Sequence, residues 1–186
     1  MFEEYGDPRA ASEAGRIRDR FRLLWEQHVY WTRIVILGIA FDSPDLAAST
    51  ARLLQNPADF GATFRRFYGP AAGRRVEGLI HDHLTIAAEL VQAAKAGNNA
   101  AAAAAERRWY QNADEIATYL GRLNPAWRGP GMRSMWHEHL EMTKREAVQI
   151  LNRQYPASID TFGEIERLAL RMADDMSNGI IRQMGI

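Results

Sequence analysis

No cysteine occurs in the 186 residues. Disulfides, thiolate zinc sites, iron–sulfur clusters and cysteine nucleophiles are therefore excluded. Net charge is lacking too: 23 Lys and Arg balance 23 Asp and Glu, so no whole-molecule field draws the chain to nucleic acid or an anionic membrane. Long apolar runs are missing. The most apolar stretch, Ile34 to Phe41, follows Arg33 and is too short to span a bilayer. Met1 to Arg9 is acidic and polar, without the basic-then-apolar order of a signal peptide. These absences predict a cytoplasmic protein with no membrane and no nucleic-acid partner.

Familiar catalytic patterns are missing as well. No serine sits in a Gly-x-Ser-x-Gly turn, and no Gly-rich phosphate loop of either common type is present. Di-iron carboxylate bundles need Glu-x-x-His. Here the residues three before the histidines are Trp25, Gly78, Ile80, Ser134 and Trp136. Asp174-Asp175 is a carboxylate pair, but neighbours on a helix point apart. No catalytic residue is assigned, and the balance leans away from an enzyme. The basic pairs Arg65-Arg66, Arg74-Arg75 and Arg107-Arg108 read as solvated faces, because acidic residues elsewhere cancel them.

What is present is helical periodicity. With 47% hydrophobic and 25% charged residues the composition is that of a globular chain, which excludes disorder. Apolar residues recur at steps of three and four nearly throughout, and no strand-like alternation competes. The spacing predicts an N-terminal arm over residues 1–11, then helices over about 12–39, 44–68, 71–96, 99–123, 131–154 and 158–184. Ser43 reads as an N-cap with Pro44 at the first helical position. Asn56-Pro57 reads as a fresh cap that kinks the second helix, and Gly69-Pro70 ends it. The six alanines from Ala100 to Ala105 read as a helical spacer that permits close approach. Trp25, Trp109, Trp127 and Trp136 read as core or interface anchors.

Histidines interrupt the apolar seams. His28, His83 and His139 fall on the inward stripes of the first, third and fifth helices, 55 and then 56 residues apart. His81 and His137 lie about 200° round the helix from their neighbours and face outward. The even-numbered helices carry matching marks. Arg52-Leu53-Leu54-Gln55-Asn56-Pro57-Ala58-Asp59 resembles Arg108-Trp109-Tyr110-Gln111-Asn112-Ala113-Asp114, with a fainter echo in Arg171-Met172-Ala173-Asp174. His28 to Asp59 and His83 to Asp114 are both 31 residues, and His139 to Asp174 is 35. The pattern predicts an all-α, up-and-down bundle of about six helices, built from hairpins over 12–68, 71–123 and 131–184.

Two readings follow. In the first, His28, His83 and His139 bind a divalent metal, with Asn56, Asp59, Asn112, Asp114 and Asp174 orienting the rings or contacting a small ligand. In the second, each histidine is a neutral core residue bonded to its hairpin's amide or carboxylate, and the network only sets helix register. The second reading predicts a filled centre and an exposed apolar patch at Trp127 or Phe67 for self-association into a homo-oligomer.

Three stretches also resemble a known family. They are Leu24-Trp25-x-x-His28-Val29-x-Trp31-Thr32-Arg33, Trp109-Tyr110-x-Asn112-Ala113-Asp114-x-Ile116-Ala117, and His139-Leu140-x-x-Thr143-x-x-Glu146-Ala147. Together they are similar to small all-helical proteins met chiefly in spore-forming Gram-positive bacteria, and the likeness spans residues 18–184. It implies a helical fold. Some members carry an acetylglutamate kinase label. This chain has neither the α/β pattern nor the glycine-rich loops which that activity needs.

Overall fold

The computed structural model describes residues 8–186, and all regular structure in it is helical. The arm expected over residues 1–11 lies outside the described residues up to position 7, and residues 8–11 belong to helix α1. The helices are α1 (Pro8–Phe41), α2 (Leu46–Leu53), α3 (Asn56–Lys95), α4 (Asn99–Leu123), α5 (Pro130–Leu151) and α6 (Tyr155–Met184). A single 3-10 turn, Pro125–Trp127, precedes α5. Among the described residues no helix is long and apolar enough to cross a membrane.

Local chemistry sets most of these boundaries. Proline occupies the first turn of α3, α5 and α6, where its missing N–H costs nothing. Asn98 caps α4 by accepting from the Ala101 N–H at 3.0 Å. Ser43 does not cap the second helix as its position suggests. Its hydroxyl donates to Asp45 Oδ1 at 2.5 Å, and Asp45 is the residue that precedes α2. The break at Pro57 occurs, between α2 and α3, but Asn56 does not cap it: its side chain turns into the core.

Within α3 the backbone leaves helical geometry at Gly69 alone, with φ 84° and ψ 173°. Positive φ favours glycine because it has no Cβ. The two halves of α3 fold back on each other there. A Cβ on Gly73 would lie 2.6 Å from the Gly61 carbonyl oxygen, whereas twelve residues of unbroken helix would hold these positions about 18 Å apart.

Packing contacts run from α1 to α3, α4, α5, α6 and back to α1, so the bundle closes on itself, and α1 also meets α5. The core holds Trp25, Trp109 and Trp136 with Phe21, Phe60 and Phe64, all essentially inaccessible. Trp127, offered above for an exposed patch, is buried. Its indole N–H donates to the Asp175 carbonyl at 3.2 Å, and its ring packs against Gly179, where a Cβ would come within 2.3 Å of Nε1. Phe67 is partly buried against the same core.

The glycines give a test. Gly73→Ala forces backbone against backbone and should cost ~1–3 kcal/mol. Gly78→Ala, five residues on in the same helix with nothing within 4 Å, should stabilise by about 0.5–1 kcal/mol. Urea unfolding midpoints of the two variants should move in opposite directions.

Candidate metal centre

Three helices deliver the histidines to one place. His28 on α1, His83 on the second half of α3 and His139 on α5 are only 1%, 1% and 2% exposed. Their ring centroids are 5.6, 5.6 and 5.8 Å apart. The candidate ligand nitrogens, one per ring, all lie within 4.8 Å of one another. Three atoms so spaced sit no further than about 2.8 Å from a shared centre, and a zinc–imidazole bond is ~2.0–2.1 Å. Closure onto one ion needs less than about 1 Å per ring, so the donor set fits a divalent ion.

Two rings are held by the same device. His28 Nδ1 lies 2.9 Å from Asn56 Oδ1, and Asn56 Nδ2 donates to the Leu24 carbonyl at 2.9 Å. His83 Nδ1 lies 3.2 Å from Asn112 Oδ1, and Asn112 Nδ2 donates to the Leu79 carbonyl at 3.0 Å. Each carbonyl belongs to the residue four before the histidine. The geometry decides the tautomer. A carbonyl only accepts, so the amide nitrogen must face it and Oδ1 must face the ring. Oδ1 also only accepts, so Nδ1 carries the proton. Nε2 is left with its lone pair free, as a metal ligand requires.

The third ring departs from this pattern. His139 Nδ1 is buried with no hydrogen-bond partner. The sequence echo explains why: aligning Ala173-Asp174 with Ala113-Asp114 puts Met172 where Asn112 stands. Met172 has no amide to offer. Around the rings stand Trp25, Trp109 and Trp136, with centroids 5.2–6.1 Å from the imidazoles they touch. Their three indole N–H groups are also buried without partners.

No family model, curated protein or solved structure matches this chain.

The aspartates named with the histidines lie elsewhere. Asp59 pairs with Arg20 at 3.2 Å and Asp174 with Arg22 at 2.8 Å, both on the surface. Asp114 takes His137 Nε2 at 2.9 Å and Arg133 Nε at 3.1 Å. Asn112 and Asp114 are two residues apart on a helix, ~200° round, so only one of them can face the centre. His81 is solvent-exposed, and His137 is partly exposed beside Asp114 and Tyr110.

Burial dictates protonation. Desolvation pushes His28 down to about 4 and His139 to about 3; it also takes His83 well below the usual imidazole range, helped by repulsion from the other two rings. All three are neutral at pH 7, and on His28 and His83 a metal need displace no proton from Nε2.

One buried charge pair escaped the sequence reading. Glu146, two turns along α5 from His139, bonds the Arg33 guanidinium across the bundle. Arg33 also donates to the Ser158 carbonyl at 3.3 Å and lies over the Phe162 ring at 5.0 Å. Burial raises Glu146 to about 7 although Arg33 pulls it down. The available signal was position: seven residues past an inward histidine is again the inward face.

The shifts have definite signs. A histidine depressed in the fold stabilises it fully above the unfolded value, ~6.5, and that stability is lost as pH falls through the folded value. Glu146, raised in the fold, acts oppositely between its unfolded value and about 7. Three histidines outweigh one glutamate. The melting temperature of metal-free protein should therefore fall steadily from pH 6.5 to pH 4, and His139→Met should lose part of that slope. Circular dichroism melts across the pH series would read it.

Proposed function

We propose that this protein binds one divalent transition-metal ion through His28, His83 and His139. The observation that carries the reading is the convergence of three neutral imidazoles, on three separate helices, so close that less than about 1 Å of movement per ring would bring them onto one ion. The clips on His28 and His83 support it, because each leaves Nε2 free and orients its ring. So does the unpartnered His139 Nδ1, since buried polar groups without partners are uncommon.

The donor set defines the kind of ion. Three neutral nitrogens suit zinc, cobalt, copper or nickel, and offer nothing to calcium or magnesium, which want oxygen. Three protein ligands leave one position of a tetrahedral site open. They also leave the whole double positive charge in a dry interior. A buried charge needs compensation, so the fourth ligand is an anion such as hydroxide or a small exogenous donor. The further roles named for Asn56 and Asn112 follow: they orient two rings and raise their basicity.

The architecture is part of the same reading. Three tandem hairpins, divided near residues 69 and 129 and making six helices, account for the 55- and 56-residue histidine spacing and for the duplicated clips. Kinship with the small bacterial family rests on the three stretches quoted for it and adds no activity.

A register-only network is the competing account. It explains the two clips but calls for a third, and it predicts a filled centre beside the histidines. The lone Nδ1 of His139 and the cavity described next count against it.

Cobalt titration of untagged protein decides the matter. One equivalent should give the visible absorption of tetrahedral cobalt and a higher melting temperature. His83→Ala should abolish both, and Asn56→Leu should weaken binding ~10–100-fold. A protein that shows no cobalt band, and contains no stoichiometric metal when purified, rules this proposal out.

A further inference from the structure

The three-histidine centre leaves a neighbouring cavity unexplained. It has a volume of about 120 Å³. Its walls include Thr32, Ala87 and Thr143, four residues past each seam histidine, and Ile36, Val91 and Ala147, eight residues past. The cavity therefore lies on the axis of the histidine triangle, displaced by one helical turn, ~6 Å, toward the C-terminal ends of α1, α3 and α5. Helix α4 completes the wall with Ala102 and Trp109.

The walls ask little of an occupant in hydrogen bonds. The Thr32 and Thr143 hydroxyls already donate to the His28 and His139 carbonyls, at 2.6 and 2.8 Å. Most of the remaining lining is aliphatic. Polar groups gather at one rim, where Lys144 Nζ meets Glu106 Oε1 at 2.5 Å with both side chains partly exposed. The space exists because alanine stands at 87, 88, 94, 102 and 147, where one leucine would fill it. Such a void costs stability in proportion to its volume. An apolar cavity of comparable size, ~150 Å³, stays dry and takes benzene or xenon.

We propose that this cavity is a binding chamber for a small, uncharged, mainly apolar molecule about the size of a benzene ring, entering beside the Glu106–Lys144 pair. The chamber does not require an ion on the histidines. It is coupled to them through Trp109, which lines the chamber and packs on His83 with centroids 5.4 Å apart. An occupant that shifts the indole shifts the ring beneath it.

Benzene is the probe. Calorimetry on metal-free protein should give saturable binding of one benzene per chain, and dissolved xenon should show a protein-dependent 129Xe shift that benzene reverses. Ala147→Leu should weaken benzene binding at least tenfold while keeping the helical circular dichroism signal. Ala102→Leu, on the partly exposed wall, serves as the second variant should Ala147→Leu fail to fold. Absence of saturable benzene and xenon binding in the parent protein overturns the proposal, as does parent-like affinity in a folded filled variant. The two readings fail separately: cobalt binding without benzene binding sinks the chamber alone, and benzene binding without cobalt binding sinks the metal site alone.

Discussion

Three imidazole rings lie in a place from which water is excluded, and much of the bundle's interior is arranged around that fact. An imidazole in a dry core must stay neutral, and its N–H must find an acceptor. The fold meets the first demand with aromatic and aliphatic walls that desolvate all three rings. It meets the second twice, with an asparagine that ties the ring to the backbone carbonyl one turn earlier. An amide suits this position better than a carboxylate would. It is uncharged, it bridges donor and acceptor at once, and it leaves the ring neutral with its outer nitrogen bare. The same clip that satisfies the core thus prepares a ligand.

The centre is not threefold in its chemistry. His28 and His83 are locked, while His139 has methionine where the others have asparagine, and keeps a nitrogen without a partner. Beyond the rings the interior is lined in part by alanines of α3, α4 and α5 and leaves a cavity. Below the rings the interior is filled by Phe21, Trp25, Phe60, Phe64 and Trp136. Tight packing on one side and open space on the other give the histidine level a direction, with the unfilled volume toward the C-terminal ends of α1, α3 and α5. The Arg33–Glu146 pair crosses the bundle on that same side and fastens α1 to α5 beside the chamber.

Much of this was legible in the residues. Steps of three and four put Leu24, His28 and Val35 on one face, and Leu79, His83 and Leu90 on another, and those faces are buried. The breaks at Pro57, Gly69-Pro70 and Gly129-Pro130 follow from backbone chemistry that needs no tertiary context. Other features resisted. Asn56 looked like a cap, because asparagine before proline at a helix start usually is one. Its rotation about the helix axis, set by how α3 leans on α1, sends the side chain inward instead. The aspartates looked like ring partners at the right height, but height does not fix rotation, and each meets an arginine at the surface. Trp127 looked exposed because it stands in a loop rich in glycine and proline. The loop folds it onto Gly179, whose missing side chain makes the seat.

The sequence by itself determined the helical class, the places where helices stop, and the inward facing of three histidines at nearly equal intervals. These are local properties, fixed by backbone conformation and by a period that each segment carries alone. Tertiary structure decided which atoms meet: asparagine rather than aspartate on two rings, nothing on the third, an arginine on a buried glutamate, and a hollow beside the centre. Those outcomes turn on rotation about the helix axes and on shifts along them between packed helices. Such offsets are set by the volumes of many side chains packed at once, so no single stretch of chain encodes them.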